Sequence, residues 1–329
     1  MQTLLRLSRP LLCIARSLPR VAFARSAKLS TASVAASSVN QEEIQFFSRL
    51  SSQWWDESGE FGLLHKMNPV RVQFVKNKIF ETVHDDGFEE IAEREKNGKI
   101  LDGLDVLDVG CGGGLLSESL ARLGANTLGV DASASNITIA SLHAAQDPAL
   151  CRTSALGNVP LQYRNAAAEE LVEEPKRFDV VCSMEVIEHV DNPAAFLRSC
   201  AELVKVSYEL NSPGGHLFLS TVSRTPLAYF LTILAAEKLL QLVEPGTHTF
   251  SKYVKPAELI EFFQKPLGAA GRPWISHVYD GMPVRQEAEV RGMAYLPWKG
   301  AWTLAPRGAF GSTECNYLFW VRKPLSSRV

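Results

Sequence analysis

The chain has 329 residues, 46% of them hydrophobic and 21% charged, with a net charge of −2, which suits one large core with additions. Arg6, Arg9, Arg16, Arg20, Arg25 and Lys28 all precede the first acid, Glu42, and without them the charge is near −8, which argues against a nucleic-acid partner gripped through its phosphates. The six cysteines form no Cys-x-x-Cys pair, and the longest apolar run, 17 residues from Leu227 to Val243, contains Glu237 and Lys238, so zinc knuckles, a disulfide framework and a membrane span are all disfavoured.

Residues 1–40 are Ser-rich, and Arg residues interrupt the apolar positions throughout. That is the composition of a mitochondrial presequence; a secretory signal would carry one compact apolar block, and the alternative is a disordered basic tail. Residues 41–55 place apolar side chains near helical spacing and predict a helix with exposed aromatics at its edge. A second helix is expected from about Pro69 to Val83, followed by a charged segment, 84–99. Together 41–100 read as an N-terminal helical cap.

From residue 101 onward, strand-like and helix-like patterns alternate. Strands are expected at 103–109, 126–130 (ending on Asp131), 160–164, 177–183 and 215–221, with helices at 115–123 and 193–204. Such spacing predicts βαβ units and a parallel sheet. The late run Tyr317-Leu318-Phe319-Trp320-Val321 suits an antiparallel strand beside it. About 95 residues lie between the strand near 220 and this one, and substrate recognition is expected there.

Asp108-x-Gly110-x-Gly112-x-Gly114 closes the first strand and precedes a helical run. Glycines in such a turn let the backbone approach a ligand, and the helix start offers free amides to it. Asp131 lies 21 residues beyond Gly110, at the end of the second strand, where a carboxylate can accept from ribose hydroxyls. A dinucleotide fold wants Gly-x-Gly-x-x-Gly, but the sixth position is Leu115 counted from Gly110 and Ser117 counted from Gly112. The loop therefore favours S-adenosylmethionine, with Asp108 orienting the loop and the methionine amine.

Several segments carry a more specific resemblance, spanning nearly all of residues 45–325. Asn68-Pro69-Val70-Arg71, Leu107 to Glu118, Met184-Glu185-Val186-Ile187-Glu188-His189-Val190, Gly246-Thr247-His248, Lys255 to Leu259 and Asn316-Tyr317 resemble the O-methyltransferase family of ubiquinone biosynthesis. The resemblance implies an α/β class I methyltransferase, with a seven-stranded, mostly parallel sheet and helices on both faces, in the domain 101–329. It implies methylation of polyprenyl-dihydroxybenzoate and demethylubiquinol, a peripheral place on the matrix side of the mitochondrial inner membrane, and contact with other ubiquinone-biosynthesis proteins. It also implies that Arg71 contacts the methionine carboxylate, that Gly110 and Gly112 lie under the cofactor, that Asp131 holds its ribose and that Met184 lines it.

Methyl transfer to a phenol needs the oxygen deprotonated and held in line with the sulfonium methyl. Glu185, Glu188 and His189 follow the fourth strand and, if helical, share one face. Two carboxylates and an imidazole so placed can hold a hard divalent ion, or they can simply cap a helix start. The resemblance favours magnesium; the alternative makes His189, with Glu185 beside it, the direct general base.

Residues 224–253 contain a strongly apolar stretch flanked by polar and basic groups, which suits either a membrane-interface element or a lid packed on the domain. Where the family reads Leu-Val-Lys-Pro-Gly-Gly, seven residues, Val206 to Ser212, separate Lys205 from Pro213. They are either a tolerated surface loop or a retained intron. A catalytically idle scaffold, or an enzyme for another small acceptor, stays open at this level.

Overall fold

In the computed structural model, residues 37–85, 96–151, 159–206, 214–239, 244, 246–247, 249–267 and 271–324 are described. Residues 1–36 of the expected presequence, most of the charged segment 84–99 and all but the first of the extra residues 206–212 lie outside the described residues.

Helix α1 spans Gln41–Leu50; the Asn40 side chain accepts the Glu43 amide at 2.9 Å, and Glu42 and Glu43 sit in the first turn, where they complement the positive helix end. A tight turn over Ser51–Gln53 leads to α2, Gly62–Asp85. This helix begins well before the expected Pro69, which sits inside it. Proline removes one donor from a helix, and the buried Met67, Val70, Phe74, Val75 and Ile79 hold α2 on the sheet despite that loss.

The sheet follows from the alternation read in the sequence. Strands β1 (Asp105–Val109), β2 (Asn126–Asp131), β3 (Leu161–Asn165), β4 (Val180–Met184) and β5 (His216–Val222) pair in parallel, in the order β3-β2-β1-β4-β5. Helices α3 (Leu115–Arg122), α4 (Ala134–Ala144), α5 (Ala168–Val172) and α6 (Pro193–Leu203) provide the connections. After α7 (Pro256–Gln264) and the two-residue strands β6 (Val278–Tyr279) and β7 (Met282–Pro283), which pair with each other, the chain adds β8 (Ala288–Leu296), β9 (Ala301–Leu304) and β10 (Asn316–Arg322). Strand β10 runs antiparallel between β5 and β8, and β9 pairs on the outside of β8.

The main sheet thus has eight strands rather than the expected seven. The extra one, β9, is the return arm of a hairpin reversed at Pro297–Gly300, where Gly300 takes φ +59°. It falls within the long stretch whose pattern gave no strand signal.

Both faces of the sheet are buried, and period-two alternation sends neighbouring side chains to opposite layers. Leu217, Leu219, Tyr317 and Phe319 pack with Phe196, Leu197 and Cys200 of α6 and Leu259 and Phe263 of α7. Val180, Phe218, Leu318 and Trp320 pack with α2 and with Leu116 and Leu120 of α3. Burial of each such side chain contributes roughly 1.5–3 kcal/mol. The insertion after Lys205 leaves this frame intact: the Gly215 amide donates to the Lys205 carbonyl at 3.0 Å, and the Lys205 amide to Phe178 at 2.8 Å. Lys205 and Gly215, on either side of the extra residues, therefore meet by a backbone hydrogen bond.

Candidate functional site

The carboxyl ends of β1, β2 and β4 open onto one cavity of about 240 Å3, at the edge where open α/β sheets bind ligands. Arg71, Asp108, Gly110, Gly112, Asp131, Met184, Glu185, Glu188 and His189 all line it. Residues read from four separate stretches of sequence are thereby brought together.

The glycine loop is shaped by backbone conformation. Gly110, Gly112 and Gly114 have φ of +72°, +54° and +90°, a region that side chains with a Cβ seldom enter. Close approach adds a second constraint, because a Cβ on Gly110 would come within 2.5 Å of Val186, and one on Gly112 within 2.3 Å of the Trp54 ring. The Gly110 and Cys111 amides donate to the Val130 carbonyl at 2.8 and 3.0 Å, which ties the loop to β2.

Asp131 closes this arrangement. One oxygen accepts from the Gly112 amide at 2.9 Å, the other from the Ser133 amide at 2.8 Å and from Asn136 at 3.3 Å. Burial raises its pKa, and those amides oppose the rise. Asp108 is buried and accepts from the Ser117 hydroxyl at 2.6 Å. Burial pushes its carboxyl up to about 6, against the pull of Ser117 and of the Arg71 charge. Arg71 itself is 3% exposed, its Nε and Nη2 have no hydrogen-bond partner, and Nη2 stands 3.5 Å from Glu185. A buried guanidinium with open donors is suited to an anionic ligand.

The segment Glu185–His189 differs from expectation. Glu185 takes φ +57°, and only Ile187–His189 form a single tight turn. The three side chains therefore do not share one helix face. Glu185 accepts from Ser220 at 2.6 Å, Glu188 from Thr221 at 2.8 Å, and His189 Nδ1 pairs with Glu43 at 3.1 Å. Among the described residues no group of three His, Cys, Asp or Glu side chains converges closely enough to hold a metal ion. Glu188 is pushed up by burial and by the Glu185 charge. Burial would lower His189, but the bond to Glu43 and the charges of Glu188, Glu43 and Glu185 prevail and raise it.

Sequence reasoning missed the cap's part in the site. Trp54, expected at an exposed edge, is buried; it stacks on Phe61 at 3.8 Å and donates to Asn136 at 3.0 Å. Trp55 donates to the Gly113 carbonyl at 3.0 Å. Ser38 donates to Glu169 at 2.5 Å, and its carbonyl accepts the Asp191 amide at 2.9 Å. The only local signal was the Trp-Trp pair placed after an amphipathic helix.

The segment 224–253 contains Pro226–Ala228 and the π-wound Tyr229–Leu239. Ala228 is buried, whereas Leu227, Tyr229, Phe230, Leu231 and Leu239 are exposed. Thr247 reaches the cavity, and the Glu244 amide donates to Glu60. No described helix is long and apolar enough to cross a membrane.

The methyltransferase domain family matches residues 77–265. The ubiquinone biosynthesis O-methyltransferase of Agrobacterium fabrum is 36% identical over 293 residues, covering 89% of this chain and 98% of that protein. Its mitochondrial namesake in Schizosaccharomyces pombe is 40% identical over 291 residues, covering 88% and 89%. A solved S-adenosylmethionine-dependent methyltransferase of Thermotoga maritima aligns with TM-score 0.49 at 15% identity, over 85% of this chain and 99% of that one.

Proposed function

From the premise that this chain belongs to the ubiquinone biosynthesis O-methyltransferase family, an S-adenosylmethionine-dependent class I enzyme, we propose that it methylates polyprenylated catechols, namely 3,4-dihydroxy-5-polyprenylbenzoate and 3-demethylubiquinol. The observation that carries this reading is that the glycine loop and the Glu185–His189 turn face one cavity.

Within it, Asp131 accepts the ribose hydroxyls, Asp108 takes the methionine amine, and the open donors of Arg71 take the methionine carboxylate. Gly110 and Gly112 lie under the cofactor and Met184 lines it. The methyl then faces the Glu185–His189 turn. His189 accepts the phenol proton; the phenolate oxygen forms its bond to the methyl carbon as the carbon–sulfur bond breaks, releasing S-adenosylhomocysteine. Holding oxygen and methyl in line supplies much of the acceleration, and a positioned base typically adds 10²–10⁴-fold. His189→Ala should therefore lower kcat by about two orders of magnitude with little change in cofactor affinity; unchanged kcat would remove His189 from the chemistry.

The resemblance implies magnesium at Glu185, Glu188 and His189, a donor set whose chemistry suits a hard divalent ion, but among the described residues these side chains do not converge closely enough to hold one, and the steps above do not run through it. Chelation tests the point: full activity in metal-free enzyme would exclude the ion, and a loss that returns with added magnesium would show that the three side chains close around it.

The lipid acceptor requires a membrane surface, and the exposed Leu227, Tyr229, Phe230 and Leu231 supply an apolar row suited to the interface. With the basic first 40 residues, this supports a peripheral position on the matrix side of the inner membrane beside other enzymes of the pathway. Replacing Leu227, Phe230 and Leu231 by Ser should reduce flotation with liposomes, and undiminished binding would reject the contact.

A further inference from the structure

We propose that Glu43 is a positioning residue for His189, so that α1, besides lining the cavity, sets the base for the methyl acceptor. The proposal deepens the reading of His189 above and rests on it.

Glu43 lies in the first turn of α1, far in sequence from the other site residues, and lines the same cavity. Its two oxygens have separate partners: Oε2 meets His189 Nδ1 at 3.1 Å, and Oε1 accepts from Lys252 Nζ at 3.0 Å. The ammonium of Lys252 thus pairs with one carboxylate oxygen and leaves the other facing the ring. An anionic carboxylate can only accept, so the proton of a neutral His189 ring sits on Nδ1 and the lone pair on Nε2. A base for a phenol proton needs that tautomer.

Other contacts fix the ring's plane and the helix's place. Phe47, one turn along α1, meets the His189 ring edge-on at 5.0 Å and 88°. Asn40, which caps α1, donates to Asp191 at 2.5 Å, so this end of the helix also holds the chain two residues beyond His189. Lys252 belongs to the segment 224–253, and Glu43 thus joins the N-terminal cap, that segment and His189 at one carboxylate. Glu188 and Glu185 are the other charged groups acting on the ring. Where an imidazole ligates a metal, removing the carboxylate that orients it typically costs about 10–100-fold, and a loss of at least the lower order is expected for an imidazole base.

The test uses the full-length enzyme with a short-chain catechol acceptor, measuring kcat, both KM values and the affinity for S-adenosylhomocysteine. Glu43→Ala should lower kcat at least tenfold while cofactor affinity changes less than threefold, and Glu43→Asp should recover part of the loss. Glu43→Ala placed in a His189→Ala background should cost nothing more, since the two act as a unit. Normal kcat in Glu43→Ala, or a loss accounted for wholly by weaker cofactor binding, would overturn the proposal and leave Glu43 an anchor of α1. An additive loss in the double variant would overturn it too. If His189→Ala alone kept full kcat, the reading of His189 would fail first and the proposal with it; impaired His189→Ala beside normal Glu43→Ala would sink the proposal alone.

Discussion

Asp108 lines the cavity with its carboxyl pushed up to about 6, chiefly by burial. If it takes the methionine amine as proposed, a cationic amine binds its ionised form, so affinity for S-adenosylmethionine should climb with pH up to about 6 and level off above it. The sign follows because ligand and proton compete for one carboxylate. Calorimetric titration between pH 5 and 8 would show this, and Asp108→Asn should flatten the curve and weaken binding by about 1.5–3 kcal/mol; an unaltered pH dependence in the variant would place the titrating group elsewhere. At this scale the sequence picked out Asp108, Gly110, Gly112 and Asp131, which the structure brings to one cavity, because strand ends and positive-φ turns leave local marks. Glu43 and Ser38 left none, and Trp54 only the Trp-Trp pair. Their partners, His189, Asn136 and Glu169, are far along the chain, and nothing in a surface-like amphipathic helix announces them.

Among the elements, the cap and the glycine loop depend on each other. The Trp54 ring occupies the space a Cβ on Gly112 would need. Gly112→Ala should cost about 1–3 kcal/mol through crowding and backbone strain, visible as a lower Tm together with weakened cofactor binding. A variant that binds normally at unchanged Tm would mean that Trp54 is not held there in solution. The five parallel strands, β10 and the helix Pro193–Leu203 were legible to within a few residues because both sheet faces are apolar and the turns between them are marked. Two local rules misled. Proline favours a helix start, yet Pro69 lies within α2 because five apolar side chains around it pack on the sheet. The spacing of Glu185, Glu188 and His189 suggested one helical face, but the left-handed Glu185 turns the chain first, and such a conformation in a non-glycine residue has no sequence signature.

Across the whole molecule, the cap, the sheet and the late hairpin are joined by charge as well as by apolar burial. Lys78 of α2 is buried over the Trp320 ring at 4.1 Å and bonds Glu289 of β8 at 2.9 Å, and Glu289 also accepts from Arg307 at 2.9 Å and Arg291 at 3.1 Å. Burial opposes the charge of Glu289, but Arg307 and Lys78 prevail and hold its carboxyl at about 2. Since the folded value lies below the unfolded one, this stabilisation is complete above about pH 4.5 and drains away as pH falls toward 2, on the order of 2–3 kcal/mol. Glu289→Gln should unfold more easily at neutral pH and lose less on acidification, as urea midpoints between pH 7 and 3 would show; an identical pH slope would mean another carboxylate governs acid unfolding.

The most direct trial supplies purified enzyme with methyl-labelled S-adenosylmethionine and a polyprenylated catechol, then identifies the products by mass spectrometry. The expected result is a labelled methyl ether on a ring oxygen, with S-adenosylhomocysteine formed in equal amount and both products nearly abolished by His189→Ala. Cofactor binding without any methyl ether, with magnesium present and the protein folded, would contradict it.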